Sequence, residues 1–283
     1  MKYAYYPGCS LEATAREYGL SARAVCARLK IELAEIPDWN CCGASSGHNT
    51  NRRLAHALAG RNLALAERLG LDIAVACPAC YFRLRTTGHE MKDDSQKRAE
   101  LADLIDLPYE ASGNTRHLLD IICNDIGLEN LKKKVVRPLK GLKLACYYGC
   151  YLVRPPEVVA FDDPENPQAM DALVDTLGAE VKDWSGKVDC CGGSLSLSKR
   201  NIAIKLVSEL TDMARRGGAQ AIVAACPLCH ANLETRQVVT GQSKLPVFYF
   251  TELIGLAMGI TEAKSWLKKH LISPFGLLGS HGL

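Results

Sequence analysis

The sequence predicts an α/β protein of two pseudo-symmetric halves, each with a largely parallel sheet flanked by helices. Three observations carry this. Cys41-Cys42-Gly43 followed by Cys77-Pro78-Ala79-Cys80 recurs as Cys190-Cys191-Gly192 followed by Cys226-Pro227-Leu228-Cys229, displaced by 149 positions, with 34 residues between pair and Cys-Pro-x-Cys in both copies. Each copy has a lone upstream Cys after a Tyr pair and a Gly, in Tyr5-Tyr6-Pro7-Gly8-Cys9 and Tyr147-Tyr148-Gly149-Cys150. Around these landmarks, apolar runs of strand length alternate with stretches of helical period in the same order in each half.

In the first half, Tyr3 to Tyr6 reads as a strand ending at Gly8-Cys9, and Ser21 to Leu29 has helical spacing with a Ser start. Leu33 to Ile36 is a short strand running into the first Cys pair, and Ala44 to Gly47 a loop. From Asn51 to Leu69 the apolar positions Leu54, Leu58, Leu65 and Leu69 describe an amphipathic helix closed by Gly70. Leu71 to Ala76 is an apolar run suited to a buried parallel strand. It ends at Cys77, and Pro78 suits the first turn of the next helix. Met91 to Arg98 reads as a solvated connection, and Leu107-Pro108 leads to a helix near His117 to Ile126.

The second half repeats this order. Leu142 to Tyr148 is its opening strand, Ala169 to Leu177 a helix, Val181 to Trp184 a strand, and Ile202 to Arg216 the long helix stopped by Gly217-Gly218. Ala221 to Ala225 runs into Cys226, Pro227 to Val239 is the next helix, and Val247 to Phe250 precedes a helix from Glu252 to Met258. The basic Lys132 to Gly141 stretch is the expected boundary, dividing the chain into residues 1–134 and 135–283. The gap from the lone Cys to the pair is 32 positions in the first half and 40 in the second, so eight extra residues fall in the second half, expected as an ordered surface loop over Pro155 to Pro167.

The chain has 283 residues and a formal charge of +3, with no basic run interleaved with aromatics, so a nucleic-acid footprint is not expected. It opens without a basic segment and apolar core typical of a secretory signal, and no apolar run approaches the roughly 20 residues of a spanning helix. The expectation is a cytoplasmic chain without membrane insertion. Thirteen cysteines in that setting point to metal or redox chemistry rather than to disulfide staples.

Each half places three thiol-bearing segments at the C-terminal ends of strands, where an open α/β sheet builds its ligand crevice. Cys77 and Cys226 stand at helix N-termini, which favour thiolate over thiol. Soft thiolates select zinc, copper or iron–sulfur clusters. A structural zinc and an ordinary cubane cluster each take four ligands, whereas each half offers five cysteines. Adjacent thiolates such as Cys41 and Cys42 bind two irons of one cluster more readily than they close on a single ion. Gly43, Gly192 and Gly193 would let the backbone pass close to inorganic sulfide. A thioredoxin-type dithiol at Cys-Pro-x-Cys would leave three cysteines of each half without a role, and zinc in one or both halves is the other alternative.

The motifs resemble the cysteine-rich CCG domain, and in particular the B subunit of heterodisulfide reductase and its bacterial relatives. Tyr-Tyr-Pro-Gly-Cys-Ser at the start, Asp-Trp-Asn-Cys-Cys-Gly-Ala at 38 to 44, Arg-Pro-Pro-Glu at 154 to 157, Phe-Asp-Asp-Pro-Glu-Asn-Pro-Gln at 161 to 168 and Ala-Cys-Pro-Leu-Cys at 225 to 229 carry the resemblance over essentially the whole chain. It implies an oxidoreductase with two non-cubane four-iron four-sulfur (4Fe-4S) clusters, one on Cys9, Cys41, Cys42, Cys77 and Cys80 and one on Cys150, Cys190, Cys191, Cys226 and Cys229. It also implies a small disulfide substrate, such as the mixed disulfide of coenzymes M and B, cleaved between the clusters by one-electron steps. Electrons would arrive from a small iron–sulfur subunit, itself fed by a flavin subunit. A non-catalytic electron-transfer subunit of a lactate, glycolate or succinate oxidoreductase, or a zinc-stabilised scaffold, would share many of the same motifs.

Outside the repeat, Cys26 and Cys123 sit in helical apolar phase and Cys146 on a strand, as small buried hydrophobes. His48 and His230 are candidate proton donors to a leaving thiolate, against the plainer reading of loop or helix-surface residues. Lys199 and Arg200 could attract an anionic substrate or simply start a solvated helix. Trp39 and Trp184 are expected to shield the site from water, and the Tyr pairs to divide between core and crevice.

Overall fold

A computed structural model describes residues 1–44, 47–240 and 244–283, and for Thr240 only the backbone. Ser45 and Ser46, within the expected loop, lie outside the described residues. The strands are β1 (Lys2–Tyr6), β2 (Glu32–Glu35), β3 (Ile73–Val75), β4 (Thr115–His117), β5 (Lys143–Tyr147), β6 (Glu180–Val181), β7 (Ala221–Ala224) and β8 (Val247–Tyr249). They form two four-stranded sheets of identical order, β2-β1-β3-β4 and β6-β5-β7-β8, and all pairs are parallel. Because β1 and β5 lie inside their sheets, Tyr5, Tyr6, Tyr147 and Tyr148 are all buried, where strand alternation alone predicts half of them in a crevice.

The principal helices are α1 (Arg16–Arg28), α2 (Arg52–Glu67), α3 (Pro78–Lys92), α4 (Ser95–Ile105), α5 (Ala169–Thr176), α6 (Arg200–Arg216), α7 (Pro227–Thr240) and α8 (Phe250–Ala257). Helix α2 starts where the Asn51 side chain accepts the Leu54 N–H, an N-cap that satisfies one free donor. Its buried face is mostly small, with Ala59, Gly60, Asn62 and Ala66, while Leu54 and Leu69 at the helix ends stay exposed. Met91 to Arg98 is not one solvated connection: Asp94 caps Lys97 N and starts α4, whose Leu101 packs against Gly60, where a Cβ would stand 2.7 Å from it. The stretch near His117 is strand up to His117, and helix only from Leu118.

The extra segment of the second half is more than a surface loop. Val158 O accepts from Arg85 Nε at 3.0 Å and Val159 O from the Tyr81 hydroxyl at 2.6 Å, so the insertion clasps α3 of the first half. The halves also share one core. Helix α8, from the second half, packs on α1 of the first, and Ser21 and Thr251 hydroxyls meet at 2.6 Å between them.

The centre of this joint is Tyr18 on α1. Its hydroxyl lies 2.8 Å from Ala76 O and 2.8 Å from Ala225 O, the carbonyls just before Cys77 and Cys226, and its ring stacks on Tyr249 at 4.1 Å. Ala76 O also accepts from His117 Nε2 at 2.8 Å, while His117 Nδ1 accepts the Leu119 N–H at 3.2 Å. That pattern requires a neutral ring, and burial pushes the His117 pKa down to about 4.

The joint can be tested from both sides. Tyr18→Phe, which removes a buried donor from two carbonyls, should lower unfolding stability by about 1–2 kcal/mol in anaerobic urea titrations; no loss would mean the hydroxyl holds nothing together. For His117, the folded pKa lies below the unfolded one, so stability is full above the ordinary histidine pKa and is lost as pH falls toward the folded value. Between pH 7 and pH 5 the loss should be about 2 kcal/mol greater in the wild type than in His117→Gln, and equal losses would refute the assignment.

Candidate functional site

The thiols gather because every parallel strand that ends at the joint delivers its following loop to the same edge of its sheet. Cys9 follows β1, Cys41 and Cys42 follow β2, and Cys77 and Cys80 bracket the β3–α3 junction, with Cys77 as N-cap and Pro78 in the first turn. In this set Cys41 Sγ lies 3.8 Å from Cys9 Sγ, and Cys42 Sγ lies 3.3 Å from Cys80 Sγ. Cys80 in turn reaches Cys77. In the second half Cys191 Sγ lies 3.5 Å from Cys229 Sγ, Cys229 reaches Cys226, and Cys150 reaches Cys190. The two sets come close: Cys226 raises the Cys77 pKa and Cys77 lowers that of Cys226, and both residues directly follow the carbonyls that Tyr18 joins. All the repeat cysteines are free thiols, with Cys9, Cys41 and Cys190 exposed and the Cys-Pro-x-Cys sulfurs buried.

The backbone is shaped to the sulfurs. Gly43 N–H points at Cys41 Sγ at 3.5 Å and Gly192 N–H at Cys190 Sγ at 3.3 Å. Gly8 and Gly149, at equivalent places before the lone Cys, have φ of +71° and +67°, which L side chains rarely adopt. A Cβ at Gly8 would sit 3.0 Å from Cys80 Sγ, and one at Gly149 3.3 Å from Cys229 Sγ. A Cβ at Gly193 would sit 3.3 Å from Cys191 Sγ, so here too the backbone passes close to sulfur. Tyr6 donates to Asn40 O at 2.8 Å and Tyr147 to Asp189 O at 2.6 Å, so each tyrosine anchors the carbonyl before a Cys pair.

The electrostatics are those of thiols competing for few protons. Hydrogen bonds from Cys42 and Cys9, with Gly43 N–H, pull the Cys41 pKa far down. Those from Cys150 and Gly192 N–H bring Cys190 down to about 6, and those from Cys229 and Cys77 put Cys226 well below the usual thiol value. The donors move the other way: Cys9, Cys150, Cys77, Cys80 and Cys229 are all raised, first by the sulfur each one faces. Each thiolate disfavours the next, and a cationic metal unit removes that conflict by taking all of them as ligands. The donor set, its burial and its glycine-lined backbone therefore fit a thiolate-ligated iron–sulfur group.

The remaining candidates separate. His48, in the short helix Gly47–Thr50, is exposed, as is Lys199 at the start of α6. His230 is buried at 4% exposure with Nε2 on Val247 O at 2.9 Å and Nδ1 toward Glu234, so both ring nitrogens face groups other than the thiols, which argues against a proton-donating role toward them. Trp184 is buried, donating to Cys146 O at 2.9 Å, and Trp39 is half-buried edge-on to Tyr6. Cys26 and Cys146 are core residues, and half-buried Cys123 lies 3.5 Å from Ala169 O.

Three residues outside the sequence motifs support the site. Asn62 bonds both N–H and C=O of Asn40, and Asn232 donates to Cys191 O at 2.6 Å, so buried amides fix both Cys-pair loops. Their signal in the sequence is an Asn on the apolar face of a helix. Arg83 lies over the Phe82 ring, which stacks on Tyr151 at 5.0 Å, and its charge acts on both His48 and Tyr151. Its Nε has no hydrogen-bond partner among the described residues.

Comparison with known proteins agrees with this architecture. A family model described as a cysteine-rich domain, CCG, matches residues 3–85 and 144–234. The 8-methylmenaquinol:fumarate reductase membrane anchor subunit of Wolinella succinogenes is 30% identical over 96% of this chain and 97% of its own. The B subunit of the ferredoxin/F(420)H(2)-dependent CoB-CoM heterodisulfide reductase of Methanosarcina acetivorans is 28% identical over 87% of this chain and 85% of its own. A crystal structure of a hypothetical protein from Helicobacter pylori, 12% identical, superposes with a TM-score of 0.77 over 95% of this chain and 51% of that one. The chain belongs to the cysteine-rich CCG-domain family, as a duplicated member related to the B subunit of heterodisulfide reductase.

Proposed function

We propose that the protein is the disulfide-reducing subunit of a heterodisulfide reductase-type complex in the cytoplasm. Cys9, Cys41, Cys42, Cys77 and Cys80 would hold one non-cubane 4Fe-4S cluster, and Cys150, Cys190, Cys191, Cys226 and Cys229 the other. The observation that carries this reading is the close approach of the two sulfur sets at Cys77 and Cys226, which would offer a guest with two sulfurs a matched site on either side. When bound, the clusters supply single electrons and soft iron for sulfur; the net reaction takes one disulfide, two electrons and two protons to two thiols.

The chain's own groups would then bind and orient. Arg83 and the Phe82–Tyr151 stack offer a cation and an aromatic face to an anionic disulfide such as that of coenzymes M and B. His48 and Lys199, both exposed, could exchange protons with solvent. The electron supply would be a small iron–sulfur subunit fed by a flavin subunit. No described helix is long and apolar enough to cross a membrane.

A second reading is favoured by the Wolinella succinogenes relative, whose name places it in a fumarate reductase. Here the same clusters would pass electrons without cleaving a disulfide. Anaerobic turnover of a heterodisulfide with a reduced dye separates the two: sustained release of both thiols supports the first, and reduced clusters without thiol release the second.

Iron analysis should give about eight irons and eight sulfides per chain, and Cys42→Ala or Cys191→Ala should each remove about half. Zinc without iron would defeat both redox readings. With an anionic disulfide, Arg83→Gln should raise KM about tenfold with little change in kcat, the loss of one charge-assisted bond; an unchanged KM would remove Arg83 from the binding site.

A further inference from the structure

Below the second sulfur set lies a group that the disulfide chemistry does not use. His230 and Glu234 stand one turn apart on α7, and His270 reaches them from the segment that follows the helix Ala263–Leu267. All three are buried, and the ligating atom of each lies within 4.8 Å of the others. Glu234 Oε2 is 4.0 Å from His230 Nδ1, and Glu234 Oε1 is 3.8 Å from His270 Nδ1. These separations are too long for hydrogen bonds. Two ligand atoms of a tetrahedral zinc stand about 3.4 Å apart, so these three atoms, all within 4.8 Å of one another, would close by about 1 Å or less on binding the ion.

Both imidazoles are oriented as metal ligands are. His230 Nε2–H donates to Val247 O at 2.9 Å and His270 Nε2–H to Glu252 Oε1 at 2.9 Å, which leaves each Nδ1 lone pair facing Glu234. The second contact is the carboxylate–histidine arrangement that fixes ring orientation and raises ligand basicity in metal sites. His270 Nδ1 has no hydrogen-bond partner among the described residues, although its side chain is fully buried. Glu234 is itself held by the N–H groups of Leu271 at 2.9 Å and Ile272 at 3.3 Å. Two buried carboxyl groups, Glu234 and Glu252, thus stand against the two imidazoles.

We propose that His230, Glu234 and His270 bind a divalent transition metal, zinc by ligand type, through His230 Nδ1, the Glu234 carboxylate and His270 Nδ1, with Glu252 and Val247 as supporting partners. The site is distinct from both thiol sets. It ties the C-terminal segment to α7, the helix whose first turn carries Cys229.

The test uses the full-length protein purified anaerobically with its iron, given one equivalent of Zn²⁺ and desalted. About one zinc per chain should remain, and zinc-edge absorption should show only nitrogen and oxygen ligands at about 2.0–2.1 Å. His270→Gln and Glu234→Gln should lose the zinc with iron content unchanged, and Glu252→Gln should weaken zinc affinity about 10–100-fold. Failure of the wild type to retain zinc, a sulfur-ligated zinc, or full retention by His270→Gln would each overturn the proposal. If a variant does not fold, the ligand shell of the wild type still decides. A zinc found on sulfur in place of iron would count against the cluster reading as well.

Discussion

Two carbonyls, one from each half, converge on a single phenol. Ala76 O and Ala225 O end the central strands of their sheets, and Tyr18 holds both at 2.8 Å in a site without solvent. A hydroxyl has one proton, so it serves the two acceptors only if they stay together, which makes the bond a fixed spacer between β3 and β7. The residues that follow these carbonyls are Cys77 and Cys226. The distance between the two sulfur sets is thus set by a neutral contact behind them, not by the sulfurs, whose own interaction is repulsive once they ionise.

That repulsion explains the rest of the site's construction. A nest of thiols could relax by letting its loops drift apart, and the fold prevents this from several directions. Tyr6 and Tyr147 anchor the carbonyls before the Cys pairs, while Asn62 and Asn232 hold the same loops from the neighbouring helices. Gly8 and Gly149 remove the Cβ atoms that would push Cys80 and Cys229 outward. Thiols are kept crowded at a cost that metal ligation can offset, which is how a preorganised ligand set differs from a chance cluster.

Much of this is legible in the sequence, and the part that is not has a physical reason. The repeat spacing and strand-length apolar runs locate six of the strands to within a few residues, because local period and the Cys landmarks agree. β4 reads as helix in the sequence because Thr115–His117 is too short to show a period of its own. The meeting of the thiol sets is expected only from the family resemblance, since no local pattern states how two sheets face each other. Tyr18, Asn62 and Asn232 escape a reading by pattern because a buried polar residue has the same letter whether it is solvated or bonded. His230 is misplaced by such a reading because adjacency to Cys229 in sequence says nothing about its helical face, which points to Val247 and Tyr249.

The same His230 shows that the halves are alike in their sulfurs and unlike around them. Position 81 on α3 is Tyr where the equivalent place on α7 is His230, and the end of β4 is His117 where the end of β8 is Tyr249. Each half therefore keeps one Tyr and one His in contact beside its Cys-Pro-x-Cys, with the two roles exchanged. The exchange has consequences for bonding: Tyr81 bonds the insertion at Val159, whereas His230 stacks on Tyr249 and faces Glu234 and His270. Polar groups next to a cluster tune its potential. Two clusters on these sets would consequently differ in potential despite equivalent ligands.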